Sequence, residues 1–258
     1  SAASDVYKRQ RDLSVILRVG ERLDLSDLPD RLLSAGYVRC QQVEGVGQFA
    51  LRGGILDVFS PLMDQPVRCE FFDDEIDSMG AFDPGTQRRT ANLDSALILP
   101  AAEVLPRQAK GGLEGLGEKL LALAGKLEKK GSPAAAHLRE DGERLKNGSV
   151  PEGMDRYLTA VYPKAAAGVH YLPQDALVFL CEAGRVDERV KGALLQNRQD
   201  LETLMEAGIL AGDYAKLLLS AEELYAALEA FPVIMAGALP TSRYPYPPKG
   251  ILSVNARQ

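Results

Sequence analysis

The chain has 258 residues, 46% of them hydrophobic and 26% charged, enough for one large or two small globular domains. Its net charge of −6 argues against a DNA clamp, because phosphate binding wants a basic surface. Three cysteines, Cys40, Cys69 and Cys181, lie far apart and outside any C-x-x-C pair, which fits reduced thiols in a cytosol rather than a disulfide framework.

No apolar run approaches the roughly 20 residues needed to span a bilayer. The first ten residues, SAASDVYKRQ, lack the apolar stretch of a signal peptide. His137 and His170 are isolated, and no zinc-ligand pattern occurs. A cytoplasmic protein is expected.

In chain order, Ser14–Val19 is a short β-prone run followed by a turn at Gly20. Ser26 is expected to cap a helix carrying Leu28, Leu32 and Leu33, with Pro29 in its first turn and Gly36 closing it. From Tyr37 to Pro106 the pattern turns to β. Strands are expected near 37–43, 48–52, 54–59, 66–72, 75–80 and 94–99. Gly53-Gly54 suggests a bulge or a close backbone approach, and Asp73-Asp74 a short reversal.

Within 66–72, Val67, Cys69 and Phe71 alternate with Arg68, Glu70 and Phe72. Successive side chains of a strand point to opposite faces, so the first set suits a core and the second the wet side. An aromatic between charges has two readings. Phe72 is covered by a neighbouring segment or is one more scattered exposed apolar residue. Alternatively it is a binding anchor beside Arg68, as at interface hot spots. The acidic cluster Asp73, Asp74, Glu75 and Asp77 reads as turn chemistry ahead of a metal site.

Residues 107–149 are helical and charged, with Leu113, Leu116, Leu120, Leu123 and Leu127 on one stripe. Gly131 breaks this helix, Ser132-Pro133 opens a second, and Asn147-Gly148 ends it. A solvated linker between domains is expected here. After Pro151 strand and helix alternate: a strand at 176–181, a long amphipathic helix from Val186 to Gly208, a strand at 216–219, a capping box at Ser220–Glu223, and a strand at 233–235. That order predicts a parallel sheet with crossover helices.

No G-x-x-x-x-G-K-[ST] phosphate loop, G-x-S-x-G elbow or Cys-His pair is present. Gly111-Gly112 and Gly115-Leu116-Gly117 lack the Lys and the preceding strand, and Gly45-Val46-Gly47 lacks a third Gly.

Two segments carry a family resemblance: RGGILDVF at 52–59 and PVRCEFFDDEIDSMGAFDPGTQR at 66–88. They resemble the UvrB-homology module of the bacterial transcription-repair coupling factors, Mfd. The resemblance runs from about Leu13 to the last residue and weakens after Arg107. It implies a mixed fold, α/β plus α+β: a parallel-sheet α/β domain of the UvrB type (1a and 1b) with an inserted antiparallel β-rich domain that binds UvrA. Residues 1–10 do not match and read as a non-native flank. The implied division is 11–36 for the tail of domain 1a, 37–106 for the UvrA-interaction domain, 107–149 for the helical linker, and 150–258 for domain 1b, truncated at SVNARQ.

By the same resemblance Arg52, Arg68 and Phe72 contact UvrA, with their side chains exposed, while Phe71 faces the core. No catalytic residue, cofactor or metal is assigned to this piece. ATP, Mg²⁺, RNA polymerase and double-stranded DNA belong to other parts of such proteins, which act as ATP-dependent translocases. The alternative is a UvrB-type excision subunit that binds ATP and damaged DNA. It would supply a Walker A Lys and an aromatic hairpin, and neither appears in this sequence.

Overall fold

The computed structural model describes residues 12–163, 168–238 and 249–251. The expected flank at 1–10 and the terminal SVNARQ lie outside them. Two units separate: 1–126 with 138–165, and 127–137 with 166–258. The division falls inside the helical stretch, not at its ends.

The first unit is built on a six-stranded sheet. In chain order its strands are β2 (Val38–Arg39), β3 (Gln48–Arg52), β4 (Ile55–Val58), β5 (Val67–Phe72), β6 (Glu75–Phe82) and β7 (Arg89–Asn92), and they lie side by side in that order. β2 runs parallel to β3, and every other pair is antiparallel. Gly53 and Gly54, both at positive φ, form the two-residue turn between β3 and β4. Such a tight hairpin needs left-handed backbone, which glycine adopts without strain. Gly54 also makes the close approach that the sequence suggests, its carbonyl accepting from the Phe71 amide at 2.8 Å. Asp73, at φ +58, opens the reversal between β5 and β6.

One sheet face is covered by β1 (Val15–Arg18), β8 (Ser95–Ile98) and α1 (Leu28–Ser34). β1 and β8 pair antiparallel, Val15 opposite Ile98. Val15, Leu17, Leu28, Leu32, Phe49, Leu56, Val67, Cys69, Ile76, Met79 and Ile98 form one core. The border expected at 36/37 therefore cuts through a single core: β1 and α1 belong with the sheet.

Ser26 does not cap α1. The N-cap is Asp27, without a side-chain bond, and the Ser26 hydroxyl donates instead to Asp24 at 2.6 Å. The other end matches expectation. Gly36 at φ +87 lets the Tyr37 amide reach Leu32 O and the Gly36 amide reach Leu33 O. The strand expected at 37–43 shrinks to two residues, because Gln48 Oε1 accepts from the Glu44 and Gly45 amides and holds that segment as a loop. β7 was not expected. Its four residues, Arg-Thr-Ala-Asn, are all exposed and carry no alternation.

Beyond the sheet come α2 (Gly112–Glu128) and α3 (Ala134–Lys146). Gly117 and Gly142 meet where the helices cross, and a Cβ on Gly117 would stand 2.7 Å from Gly142 O. Residues 150–163, including a short helix α4 (Leu158–Val161), fold back onto this pair. The buried Asp141 accepts from Arg156 at 2.5 Å and from the Tyr157 hydroxyl at 2.6 Å. Residues 107–126 and 138–149 are thus a packed part of the first unit, with one solvated face.

In the second unit β9 (Val178–Cys181) and β10 (Val233–Ala236) pair in parallel. Between them run α5 (Ala183–Glu206) and α6 (Ala221–Leu228), the latter opened by the Ser220–Glu223 capping box. The strand expected at 216–219 is absent: Leu217 bonds back to Ala215 O and Leu218 is exposed. A short apolar run cannot by itself distinguish strand from loop. The parallel arrangement is a two-stranded pair among the described residues. No described helix is long and apolar enough to cross a membrane.

Candidate functional site

The side chains singled out in the sequence meet on the face of the six-stranded sheet opposite the main core. Register arranges that face in three cross-strand rows. The first holds Ala50, Asp57, Arg68 and Gly80, the second Arg52, Ile55, Glu70 and Ser78, and the third Phe72 opposite Glu75. A bulge beside Glu70 and Phe71, with Asp77 the extra residue of β6, keeps Ile76 in the core while Ser78 stays on this face.

Asp57 is the centre of the first row. It is fully buried, and an ionised carboxylate out of water requires paired charges. Arg68, directly opposite, supplies a bidentate fork: Nε donates to Oδ1 at 2.6 Å and Nη2 to Oδ2 at 2.8 Å. Arg52, on the diagonal, donates from Nη2 to Oδ2 at 3.1 Å. The Asp57 contacts hold the Arg68 guanidinium above its already high usual pKa, so it stays charged.

Arg68 is further enclosed. Gln87 accepts from it through both its backbone carbonyl, at 3.3 Å, and its side-chain oxygen, at 3.1 Å. The guanidinium also lies 4.5 Å over the Phe82 ring. The loop after β6 presents Gln87. Asp83 accepts from the Thr86 amide and hydroxyl, which keeps its carboxyl below the usual range. Gln87 then takes φ +60, with its amide bonded to Asp83 O. Val43, Ala50, Phe59 and Phe82 form a small second core on this same side of the sheet.

Exposure rises from the first row to the third. The Arg68 side chain is 25% exposed, that of Arg52 53%, and Phe72 is 81% exposed. The structure thus brings the three residues onto one face but corrects the expectation that all three side chains are free: Arg68 is enclosed. Phe71 points to the core, packing against it half-buried. Asp57, Phe82 and Gln87 were missed in the sequence. The signal for Asp57 was available, a lone carboxylate inside the apolar strand Ile55-Leu56-Asp57-Val58.

The face offers an apolar anchor and a cation, the chemistry of protein docking. On the opposite face of the same strand, burial pushes the Cys69 thiol up to about 12. The acidic turn is engaged with Arg22, which lies 3.7 Å from Asp74 and 3.5 Å from Glu75. Among the described residues no three His, Cys, Asp or Glu come together as metal ligands. Gly111 and Gly112 take positive φ at the start of α2. Gly115 and Gly117 lie within α2, where Gly117 meets Gly142.

Comparison with known proteins gives a consistent picture. Residues 15–103 match the UvrB interaction domain family. The transcription-repair-coupling factor of Bacillus subtilis is 31% identical over 203 residues, 77% of this chain and 17% of that protein. That of Staphylococcus haemolyticus is 30% identical over 207 residues, 78% of this chain and 18% of that protein. The Myxococcus xanthus protein of the same name is 48% identical over 95 residues, 37% of this chain and 8% of that protein. The chain spans less than a fifth of the length of these relatives. The matched segment, Val15 to Glu103, takes in β1, α1 and the whole six-stranded sheet, the unit that shares one core and carries the Asp57 face. Through that segment the chain belongs to the transcription-repair-coupling factor family and carries its UvrB interaction domain.

Proposed function

We propose that the Arg52–Arg68–Phe72 face docks UvrA and so recruits excision repair to DNA where RNA polymerase has stalled. The observation that carries this reading is Phe72, 81% exposed at the end of a rigid central strand with Arg52 in the adjoining row. A large aromatic held out of the core, on a face that also carries a half-exposed cation, is costly to leave in water and suits an anchor that fills a partner pocket. UvrA as the partner is read from the motif resemblance at 52–59 and 66–88.

In this reading the rest of the protein is an ATP-dependent translocase that displaces the polymerase in a bacterial cytoplasm. ATP, Mg²⁺, double-stranded DNA and RNA polymerase are bound outside this chain, which holds no cofactor of its own. The test is titration of the chain with purified UvrA by calorimetry. Phe72→Ala and Arg52→Ala should each weaken binding about thirtyfold. Full binding by both variants would refute the assignment.

A further inference from the structure

The two arginines on Asp57 are unequally engaged. Arg68 makes four hydrogen bonds, two to Asp57 and two to Gln87, and stacks on Phe82. A guanidinium has five N–H donors, so one is left. Arg52 makes a single bond, to Asp57 Oδ2, and its side chain is half exposed. Asp57 itself has no accessible surface and cannot touch a partner.

We infer that Asp57 is the positioning residue of the docking face: it fixes Arg68 as a rigid floor and aims Arg52 outward, so that Arg52 makes the direct ion pair with a partner carboxylate while Arg68 acts through Asp57. The inference rests on the docking reading above. Its physical basis is pre-organisation. A free arginine loses rotamer freedom when it binds, and one already tethered through one Nη loses less. Arg68 supplies the second positive charge that lets the buried carboxylate hold Arg52: Asp57 against two guanidinium groups leaves that three-residue cluster at +1, with the carboxylates of Glu70 and Glu75 beside it on the same face. The partner surface that fits is an acidic residue beside an apolar pocket, the pocket taking Phe72 and the acid meeting Arg52. Ile55, in the Arg52 row and more than one third exposed, extends the apolar part.

A double-mutant cycle on the full chain with purified UvrA tests this, read as Kd by calorimetry. Asp57→Asn should weaken binding about tenfold in the wild-type background and less than about threefold once Arg52→Ala is present, since nothing remains to aim. In a Phe72→Ala background it should keep its full effect. General damage to the fold would give the same factor in all three backgrounds, and that result would overturn the positioning role, as would unchanged binding by Asp57→Asn alone. Should Asp57→Asn fail to fold, Arg68→Lys replaces it in the same cycle, with non-additivity toward Arg52→Ala expected. Additive losses would instead make Arg68 an independent contact and overturn the division of labour. A spectroscopic readout is independent of binding. In proton–nitrogen spectra the Arg68 Nε–H should be resolved and slow to exchange in the free chain, and Asp57→Asn should collapse it into the averaged arginine signal. An averaged signal in the wild type would overturn the rigid floor. If Phe72→Ala and Arg52→Ala both retain full affinity, the docking reading and this inference fall together. If they lose affinity while the cycle is additive, the inference falls alone.

Discussion

On one side of the six-stranded sheet, Val67, Cys69 and Phe71 of β5 meet α1, β1 and β8 in a continuous apolar core. On the other, Arg68, Glu70 and Phe72 of the same strand share a face with the buried carboxylate of Asp57, with Arg52 and with a small second core. The backbone is shared, so only side-chain chemistry separates the faces. The difference teaches that a face is not uniformly inside or outside. The core side is buried along its length, whereas the docking side grades over about 13 Å from the enclosed Arg68 to the free Phe72. Under the proposed function its enclosed end serves stability and its free end binding.

The contrast is sharpest in reactivity at Cys69. Burial disfavours the thiolate and pushes its pKa up to about 12. Relative to an ordinary thiol, the reactive form is scarcer by about a thousandfold. Cys181 is exposed. Titration with a chromogenic disulfide at pH 8 should modify Cys181 promptly and Cys69 only after denaturation. Prompt modification of Cys69 in the folded chain would place β5 the other way round.

Truncating the core side comes next. Phe49 on β3 is fully buried, and Phe49→Ala should destabilise by about 3–5 kcal/mol through lost transfer energy and a residual cavity. Phe71 packs on the same core but is only half-buried, so Phe71→Ala should cost about 2 kcal/mol. Urea denaturation reads both as lower midpoints at unchanged slope.

Arg68→Ala tests the enclosed end of the docking side. It leaves Asp57 buried with Arg52 as its remaining ionic partner, and Arg52 is half exposed. An under-compensated buried charge should cost about 2–3 kcal/mol. The residue is a contact candidate by resemblance and a stability residue by geometry, so a melt must accompany any binding measurement on it. A neutral effect on the melting temperature would show that Asp57 is held by other groups.

Much of this was legible in the sequence, for physical reasons that differ by region. Period-two alternation in β5 and two-residue turns at Gly53-Gly54 and Asp73-Asp74 specify an antiparallel hairpin stack, and those strands lie close to where they were expected. β7 was hidden because Arg-Thr-Ala-Asn buries nothing, and the run at 216–219 misled because apolar content without period does not fix backbone geometry. At the site, alternation alone put Arg68 and Phe72 together, and family resemblance added Arg52. The ion cluster stayed out of reach. Asp57 finds its partners five and eleven residues away, across two strand pairings, and only register reveals that three charges share one row and its neighbour.

Phe72→Ala should have the smallest effect on stability and a large one on function. The side chain is 81% exposed, pairs across the sheet only with Glu75, and belongs to neither core. Removing it therefore leaves no cavity, and the melt should shift by no more than about 0.5 kcal/mol. Its neighbour Phe71, one residue away and on the opposite face, should show the reverse: a lowered melt with UvrA affinity retained in the folded fraction. The pair is a strict test because composition, strand and position are almost identical and only the direction of the side chain differs. If Phe72→Ala lowers the melt as much as Phe71→Ala, Phe72 is covered in solution by a neighbouring segment, the bland reading of its place among charges. If Phe72→Ala melts like the wild type yet loses about thirtyfold in UvrA affinity, its exposure is that of an anchor awaiting its pocket.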